Sequence, residues 1–445
     1  MASDVASPTK KVARALETLA GQILGDLILP GHDGYDRARA VFNGAVDRMP
    51  HAIVRPRVVA DVVAAVRYAR DAGLAVAVRG GGHHVAGYSV VDGGLTIDLS
   101  LMRRVSVDPA RRIARVEGGA LWSDVDRATQ PYGLATPGGT VSSVGVAGFT
   151  LGGGIGRLSH AHGLAADNLV SVDVATADGR RVTASEDEHE SLFWAIRGAG
   201  GNLGVVTSFE LRLHDIGPQV WGGPIGYRIE DAPRVLRVMR DLMTSAPDNF
   251  NVSAAIVRKD RRPLLVLNPF WAGDPAVGGL IVRPLRDAAT PIMDLYAPTS
   301  YFALQAVDAQ GGRRAWESSA FLDQMFDETI DSIVAHTCDA PIETPRIAIL
   351  SVGGAVARVP GSSTAFGGRG AEWLVQAGGA WDHESEDAAA QAWIDGIHDA
   401  VAGDATGIGY VNMLADDRLA YSSWTRARLR AVKASWDPEG VFRRG

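Results

Sequence analysis

Apolar positions come in short blocks over the first half of the chain and in longer alternating stretches over the second. Residues 52–54 read as a short strand that stops before Pro56. In residues 61–71 the apolar side chains Val62, Val63, Val66 and Ala69 gather on one helical side, and Gly73 follows as a stop. Residues 74–78 form a second apolar block of strand length. Strand, helix and strand in so short a span predict a βαβ unit. A helical pattern also covers residues 12–27. Further strands are expected at 95–99 and 113–117, and a helix at 121–130. Residues 170–176 and 181–183 flank Ala177-Asp178-Gly179, a strong hairpin signal. A short helix at 190–196 and a strand at 205–213 close this half.

From about residue 217 the texture changes. Alternating stretches at 264–268 and 347–352 predict a larger sheet, with helices at 233–244 and 386–401 between its strands. Residues 409–412 and a last helix at 421–434 are expected to return to the first half. Trp271, Tyr301, Trp316, Trp373 and Trp381 suggest an aromatic-lined cavity, although such residues are more often core.

Glycine changes the picture. The strand block at 74–78 breaks into Arg79-Gly80-Gly81-Gly82-His83-His84-Val85-Ala86-Gly87-Tyr88-Ser89. A backbone without side chains turns sharply and approaches a ligand closely, and successive N–H groups form a nest that suits phosphate. A second run, from Pro137 to Gly156, holds Gly138, Gly139, Gly145, Gly148, Gly152, Gly153, Gly154 and Gly156. That density builds neither a good helix nor a good strand, and the stretch is too apolar for a flexible linker. A third patch runs from Gly198 to Gly204. Together the three predict backbone packed against a large ligand; the plainer alternative is a set of tight turns.

Composition narrows the class without deciding it. The chain has 445 residues, 46% hydrophobic and 21% charged, enough for a well-buried core and more than one domain. Net charge is −7, and no basic patch suggests nucleic acid. The single cysteine, Cys338, excludes an intrachain disulfide framework. Residues 1–14 lack an apolar signal core and no 18-residue uncharged apolar run occurs. The expectation is a cytoplasmic protein without a membrane partner, monomer or homodimer. There is no H-E-x-x-H, paired cysteine, G-x-S-x-G, P-loop or clean G-x-G-x-x-G. Histidines 83, 84, 160 and 162 are a minor metal hypothesis; no metal site is expected.

Four segments carry a family resemblance. Arg79 to Ser89 resembles R-x-G-G-H-x-x-x-G-x-S; Val144 to Gly156 resembles V-G-V-x-G-x-x-x-G-G-G-x-G. Gly163-Leu164-Ala165-Ala166-Asp167-Asn168 and the stretch from Leu192 to Thr207, with Gly204-Val205-Val206, follow in order. A weaker match runs from Tyr410-Val411-Asn412 to Trp436-Asp437-Pro438. The pattern resembles the flavin oxidases of the vanillyl-alcohol-oxidase type, and among them the berberine-bridge-enzyme-like group of bacteria. It covers residues 40–216 strongly. The resemblance implies an α+β fold: an FAD-binding domain at 1–216 (core about 46–216), a substrate domain at 217–405 whose antiparallel sheet is covered by helices, and a segment at 406–445 returning to the first. It implies FAD, a small-molecule substrate and O₂ as acceptor, yielding H₂O₂.

Residue by residue, the resemblance makes His83 the point of covalent attachment to the flavin C8-methyl group, with His84 its near neighbour. A second thioether is not expected, because the matching position is Val141 and Cys338 lies far off. Arg79, Gly80, Gly81, Gly82, Gly87, Ser89, Gly138, Gly139, Gly145, Gly148, Gly153, Gly154, Gly156, Asp167, Asn168, Gly204, Val205 and Val206 fall on cofactor-binding motifs. Asp167 and Asn168 could equally close a turn. Val144 matches a gatekeeper beside the flavin, where a small residue admits O₂. His162 stands where relatives commonly carry tyrosine. Tyr410 and Asn412 match a Y-x-N element near the substrate; a tyrosine there serves as base if nearby positive charge depresses its pKa, or it is a buried core tyrosine. The expected reaction moves hydride from an alcohol, amine or secondary metabolite to FAD. An oxygenase or dehydrogenase, or a flavin-holding protein without turnover, are the alternatives.

Overall fold

The computed structural model describes residues 8–443 apart from residues 308, 310 and 415. Helix α1 (Pro8–Gln22) stops short of the pattern over 12–27. The chain meets its neighbour at Gly25, where a Cβ would stand 2.0 Å from the Arg55 carbonyl oxygen. The next residues form β1 (Asp26–Ile28), antiparallel to β2 (Ala52–Arg55). Ladder hydrogen bonds to β2 satisfy this backbone, and that tertiary pairing outweighs the local helical pattern.

Strand β2, helix α2 (Val59–Asp71) and strand β3 (Val76–Arg79) make the expected unit, but β4 (Leu95–Asp98) lies between the two strands, parallel to both. A second, antiparallel sheet holds β5 (Val105–Asp108), β6 (Ile113–Glu117), β7 (Leu169–Ala175), β8 (Arg181–Ser185) and β9 (Val205–Arg212), in the order β5-β6-β9-β7-β8. The long glycine run between β6 and β7 is not wholly irregular: it contains helix α3 (Val146–Leu151). Val146, Ala147 and Leu151 pack into the cluster around Trp122, Leu192 and Phe209, and that burial offsets the cost of Gly148 within the turn.

The third sheet has nine strands and is antiparallel throughout. They are β10 (Val220–Gly222), β11 (Ile225–Arg228), β12 (Phe250–Lys259), β13 (Arg262–Trp271), β14 (Met293–Asp294), β15 (Ala297–Thr299), β16 (Arg314–Leu322), β17 (Thr344–Ser351) and β18 (Trp373–Trp381). Its main order is β14-β11-β13-β12-β17-β18-β16. Alternation sorts the faces. Ile256, Leu265, Ile347, Ile349 and Val375 pack with helices α4 (Ala232–Thr244), α5 (Asp327–Cys338) and α6 (Asp387–Asp395) in one large core. Each such side chain gains about 1.5–3 kcal/mol by burial, so a one-residue slip that swapped the faces is strongly disfavoured. Trp271, Trp373 and Trp381 lie in this core and Trp316 packs on it, so for these four the core alternative holds and the cavity-lining one does not. The intervening residues, Ser253, Ala255 and Ala348 among them, are small and face the other way.

The helix expected over 386–401 breaks at Gly396 into α6 and a further turn, Ile397–Ala400. Helix α7 (Ser423–Trp436) carries the chain back: Val432 joins the second sheet's cluster, while Val441 and Phe442 pack on the first sheet, Phe442 bridging to Val76. Among the described residues no helix is long and apolar enough to cross a membrane.

Candidate active site

Two glycine loops cross backbone to backbone. A Cβ on Gly81 would stand 2.4 Å from the Gly145 nitrogen, and one on Gly145 would stand 2.3 Å from the Gly81 nitrogen. Any side chain at either position forces the loops apart. Gly82 has φ +71°, a conformation open to glycine at no steric cost. Beside this crossing lies a cavity of about 430 Å³. Bare backbone forms much of one wall: Gly80 to Gly82, Gly139, Gly145, Gly148, Gly156 and Gly204 all line it. A Cβ on Gly148 would meet nothing within 4 Å, so this backbone faces open space. Ser89 also lines the cavity, and its buried hydroxyl has no partner. Such a cradle suits a long ligand that brings its own acceptors and donors.

His83 lines the cavity with its ring stacked on Phe42, centroids 4.6 Å apart. Burial holds its imidazole below the ordinary range, against a hydrogen bond with the Ser143 backbone. His84 is tied differently. The Ala86 N–H donates to its Nδ1 (3.2 Å), and its Nε2 faces the Val411 carbonyl at 3.1 Å, joining the first loop to the C-terminal segment. Val141, Val144, Val206, Tyr410 and Asn412 also line the cavity.

Eight of the residues singled out from the sequence lie off the cavity wall. Arg79 donates to the backbone carbonyl of Arg39 (3.2 Å) and to that of Ala38, so it secures the loop from behind. A Cβ on Gly87 would meet Val46, one on Gly138 the Trp122 ring, and one on Gly153 the Phe366 ring. The Gly154 N–H donates to the Tyr410 hydroxyl (3.0 Å). Asp167 accepts from Leu164 N (2.8 Å) and pairs with Arg369 at 2.7 Å, while the Asn168 amide donates to the His162 and Leu164 carbonyls. These two close and brace a turn. Val205 is buried in strand β9.

Tyr410 corrects a second expectation. No cation depresses it. Burial pushes its hydroxyl up to about 12, although that oxygen accepts hydrogen bonds from Gly154 N–H and from the Asn412 amide at 2.9 Å. Asn412 also donates to the Phe149 carbonyl (2.9 Å). The pair locks the second glycine run to the C-terminal segment, and a hydroxyl so poised is a poor base at neutral pH.

The base-like group comes instead from the third sheet, which roofs the cavity. Glu317 on β16 is the one carboxylate among the described lining residues. It pairs across β18 with Gly378, which pairs in turn with Arg346 on β17, so the three stand in one row. Gly378 leaves a gap that Glu317 crosses: a Cβ there would stand 3.2 Å from Glu317 Cγ and 3.7 Å from Gln376 Nε2. Burial pushes the Glu317 carboxyl up to about 7, while the Arg346 charge and a hydrogen bond from Gln376 pull the other way. The Gln376 Oε1 is buried without a partner. A carboxylate poised near neutrality in a cleft can take a proton from a bound hydroxyl or amine. The sequence reading missed Glu317, Arg346, Gln376 and Arg157. The available signal was a charged residue inside an apolar strand, in Trp316-Glu317-Ser318-Ser319-Ala320.

The remaining histidines diverge. His162 stacks on His214, ring centroids 3.7 Å apart, away from the cavity, and His160 faces the Asp248 carbonyl. Among the described residues no three His, Cys, Asp or Glu side chains are placed to hold a metal ion.

Comparisons with known proteins agree with this geometry. Residues 50–185 match the profile of a family described as an FAD binding domain. An uncharacterized FAD-linked oxidoreductase of Bacillus subtilis is 30% identical over 443 residues, 95% of this chain and 96% of that protein. (R)-6-hydroxynicotine oxidase of Paenarthrobacter nicotinovorans is 33% identical over 316 residues, 70% of this chain and 68% of that one. The crystal structure of 6-hydroxy-D-nicotine oxidase from Arthrobacter nicotinovorans superimposes with a TM-score of 0.86 at 27% identity, covering 95% of this chain and 97% of that chain. The open backbone at Gly148, the unpaired Ser89 hydroxyl and the Gly81–Gly145 crossing fit FAD: main-chain N–H groups and a hydroxyl for its polar parts, and close backbone approach along its length.

Proposed function

The chain belongs to the FAD-linked oxidoreductases of the vanillyl-alcohol-oxidase superfamily, and from that premise we propose a specific reading: a berberine-bridge-enzyme-like oxidase that oxidises a small alcohol or amine and uses O₂ as acceptor. The observation that carries it is Glu317, a carboxylate raised to neutrality on the roof of the cavity whose wall is the glycine cradle. When bound, FAD supplies a hydride acceptor and passes the electron pair to O₂, giving H₂O₂.

The residues of this chain have separate tasks. The cradle from Gly80 to Gly82 and from Gly139 to Gly148 holds the cofactor by its backbone. His83 is the single covalent tether. Its imidazole is kept neutral by burial, as a nucleophilic nitrogen requires, and Val141 and Cys338 offer no second link: one has no thiol and the other is exposed elsewhere. Glu317 takes the proton from the substrate's hydroxyl or amine as its C–H bond gives up hydride. Gln376 donates to that carboxylate and Arg346 favours its ionised form, so the base is ready near pH 7. Tyr410 and Asn412 hold the second loop in place. Ala348, Leu350 and Phe270 form the apolar part of the roof.

Val144 tests the role of O₂. It is a small β-branched side chain on the cavity wall. Protein reduced with dithionite and then mixed with air is expected to reoxidise quickly and to release H₂O₂. Val144→Leu moves the branch outward and is expected to slow reoxidation at least tenfold, a rise of about 1.4 kcal/mol in the barrier, with anaerobic reduction unchanged. A native reduced flavin that persists in air refutes the oxidase reading, and equal rates in both proteins refute the role of Val144.

A further inference from the structure

Arg157 follows the second glycine run and lines the cavity. Its Nε donates to the Gln305 Oε1 (3.0 Å), and the buried Gln305 in turn donates to the Gly139 carbonyl (2.9 Å). The Asn251 amide on the roof donates to the Arg157 carbonyl (3.2 Å). Backbone and side chain are thus held from two sides. Among the described residues, however, no carboxylate pairs with this guanidinium; the ionisable group that acts on it is the buried Tyr301 hydroxyl, which burial keeps protonated and uncharged. Arg157 is half-buried on the cavity wall, and a partly desolvated cation without a counter-ion is costly. It is retained where a ligand supplies the anion.

The protein's own acids do not supply it: Asp126 acts on Tyr301 and not on Arg157, and burial pushes its carboxyl up toward the neutral form. Glu317 stands on β16, three strands from β12, the strand that carries Asn251, and Arg346 already faces it. The backbone N–H groups of Gly80 to Gly82, on the first loop, would hold the FAD diphosphate. The contacts of Arg157 come instead from the roof and its flank: Gln305 at the guanidinium, Asn251 at the main-chain carbonyl, and the Tyr301 hydroxyl nearby without a hydrogen bond. Ser253 and Asn268 line the cavity on the same two roof strands, β12 and β13, and add neutral hydrogen-bonding groups. The guanidinium fork matches the planar, two-oxygen geometry of a carboxylate, and the amides and hydroxyl line the same cavity.

We propose that Arg157 anchors a carboxylate of the substrate, so that the alcohol or amine oxidised here is an organic acid with its anionic end at Arg157. This rests on the oxidase reading above and adds the substrate class to it. Gln305 is the positioning residue, since it directs the guanidinium and leaves its terminal amino groups for the ligand.

The test uses the FAD-loaded protein with benzoate as probe and benzamide as its neutral counterpart, each followed by the change in flavin absorbance on titration. Native protein is expected to bind benzoate in preference to benzamide. Arg157→Gln is expected to weaken benzoate at least tenfold and leave benzamide unchanged, and Arg157→Lys, which keeps the charge but not the fork, to fall between. Equal benzoate affinity in the native protein and Arg157→Gln overturns the proposal, as does a native protein without preference for the acid. Loss of FAD, or a shifted flavin reduction potential, with benzoate binding intact in Arg157→Gln also overturns it, because the cation then answers the cofactor's charge. Reduction of the flavin by alcohols or amines is measured separately and decides the oxidase reading; the titration does not depend on it.

Discussion

Replacing Gln376 by leucine isolates the tuning of the base. Gln376 is 3% exposed, so leucine of similar size fills its place without exposing new surface. Its amide donates to the Glu317 carboxylate, which titrates near 7 with that bond in place. A hydrogen bond to a charged group is worth about 1.5–3 kcal/mol, and one pKa unit corresponds to about 1.36 kcal/mol. A donor favours the ionised form, so its removal raises the pKa by roughly one to two units. At pH 7 the ionised fraction then drops from about a half to between roughly one and ten per cent. The profile of kcat/KM against pH reports the base of the free enzyme. Its acid limb is expected near pH 7 in the native protein and between about pH 8 and 9 in Gln376→Leu, with activity recovering on the alkaline side. Glu317→Gln removes the limb altogether. A Gln376→Leu profile that keeps its limb at pH 7 while falling uniformly refutes the tuning role, and full activity in Glu317→Gln refutes Glu317 as base.

Two further outcomes are expected. His83→Ala releases its FAD on acid precipitation, whereas native protein and His84→Ala keep the yellow colour with the chain; colour retained in His83→Ala removes that histidine as the tether. His214 should make the fold acid-sensitive: burial, then the charges of His162, Arg212 and Arg112, depress it from an ordinary 6.5 to about 3, and burial depresses His162 as well. Folded imidazoles that resist protonation leave the unfolded chain binding more protons, so their stabilisation is complete above pH 6.5 and is lost as pH falls from there toward 3. The slope is at most about 1.4 kcal/mol per pH unit for each ring, reduced by partial exposure. Melting curves between pH 7 and 5 in the native protein and in His214→Gln check it; equal pH slopes would contradict the reading.

Much of the cradle is legible in the sequence because glycine there does one job that no other residue does. Gly81 and Gly145 touch backbone to backbone, and a dense glycine run is the direct trace of such a crossing. The βαβ unit is legible through its helical and strand periods, although the insertion of β4 between its strands is not: which strands pair is a long-range matter that local pattern does not encode. The substrate side is nearly silent. Glu317, Gln376 and Arg346 come from three strands separated by dozens of residues, and only the register across Gly378 brings them together. Tyr410 misleads for a related reason. Its place beside the cavity is consistent with the motif, but its pKa depends on burial and on the Gly154 N–H, 256 positions away.

That asymmetry has a physical consequence for how this chain can change. In the reading proposed above the cofactor is met mostly by main chain, which every substitution leaves in place unless it adds a Cβ where none fits. In the same reading the substrate is met by side chains on the cavity face of the third sheet, while the opposite face is packed against α4, α5 and α6. Pleat alternation separates the two, so Ser253, Ala255 or Ala348 can be exchanged without disturbing Ile256 or Ile347 behind them. Specificity is therefore cheap to alter and the cradle is not. Ala348→Leu, for instance, should shrink the space beneath the roof and leave both FAD binding and melting temperature close to native, whereas Gly81→Ala should cost the cofactor by pushing the two loops apart.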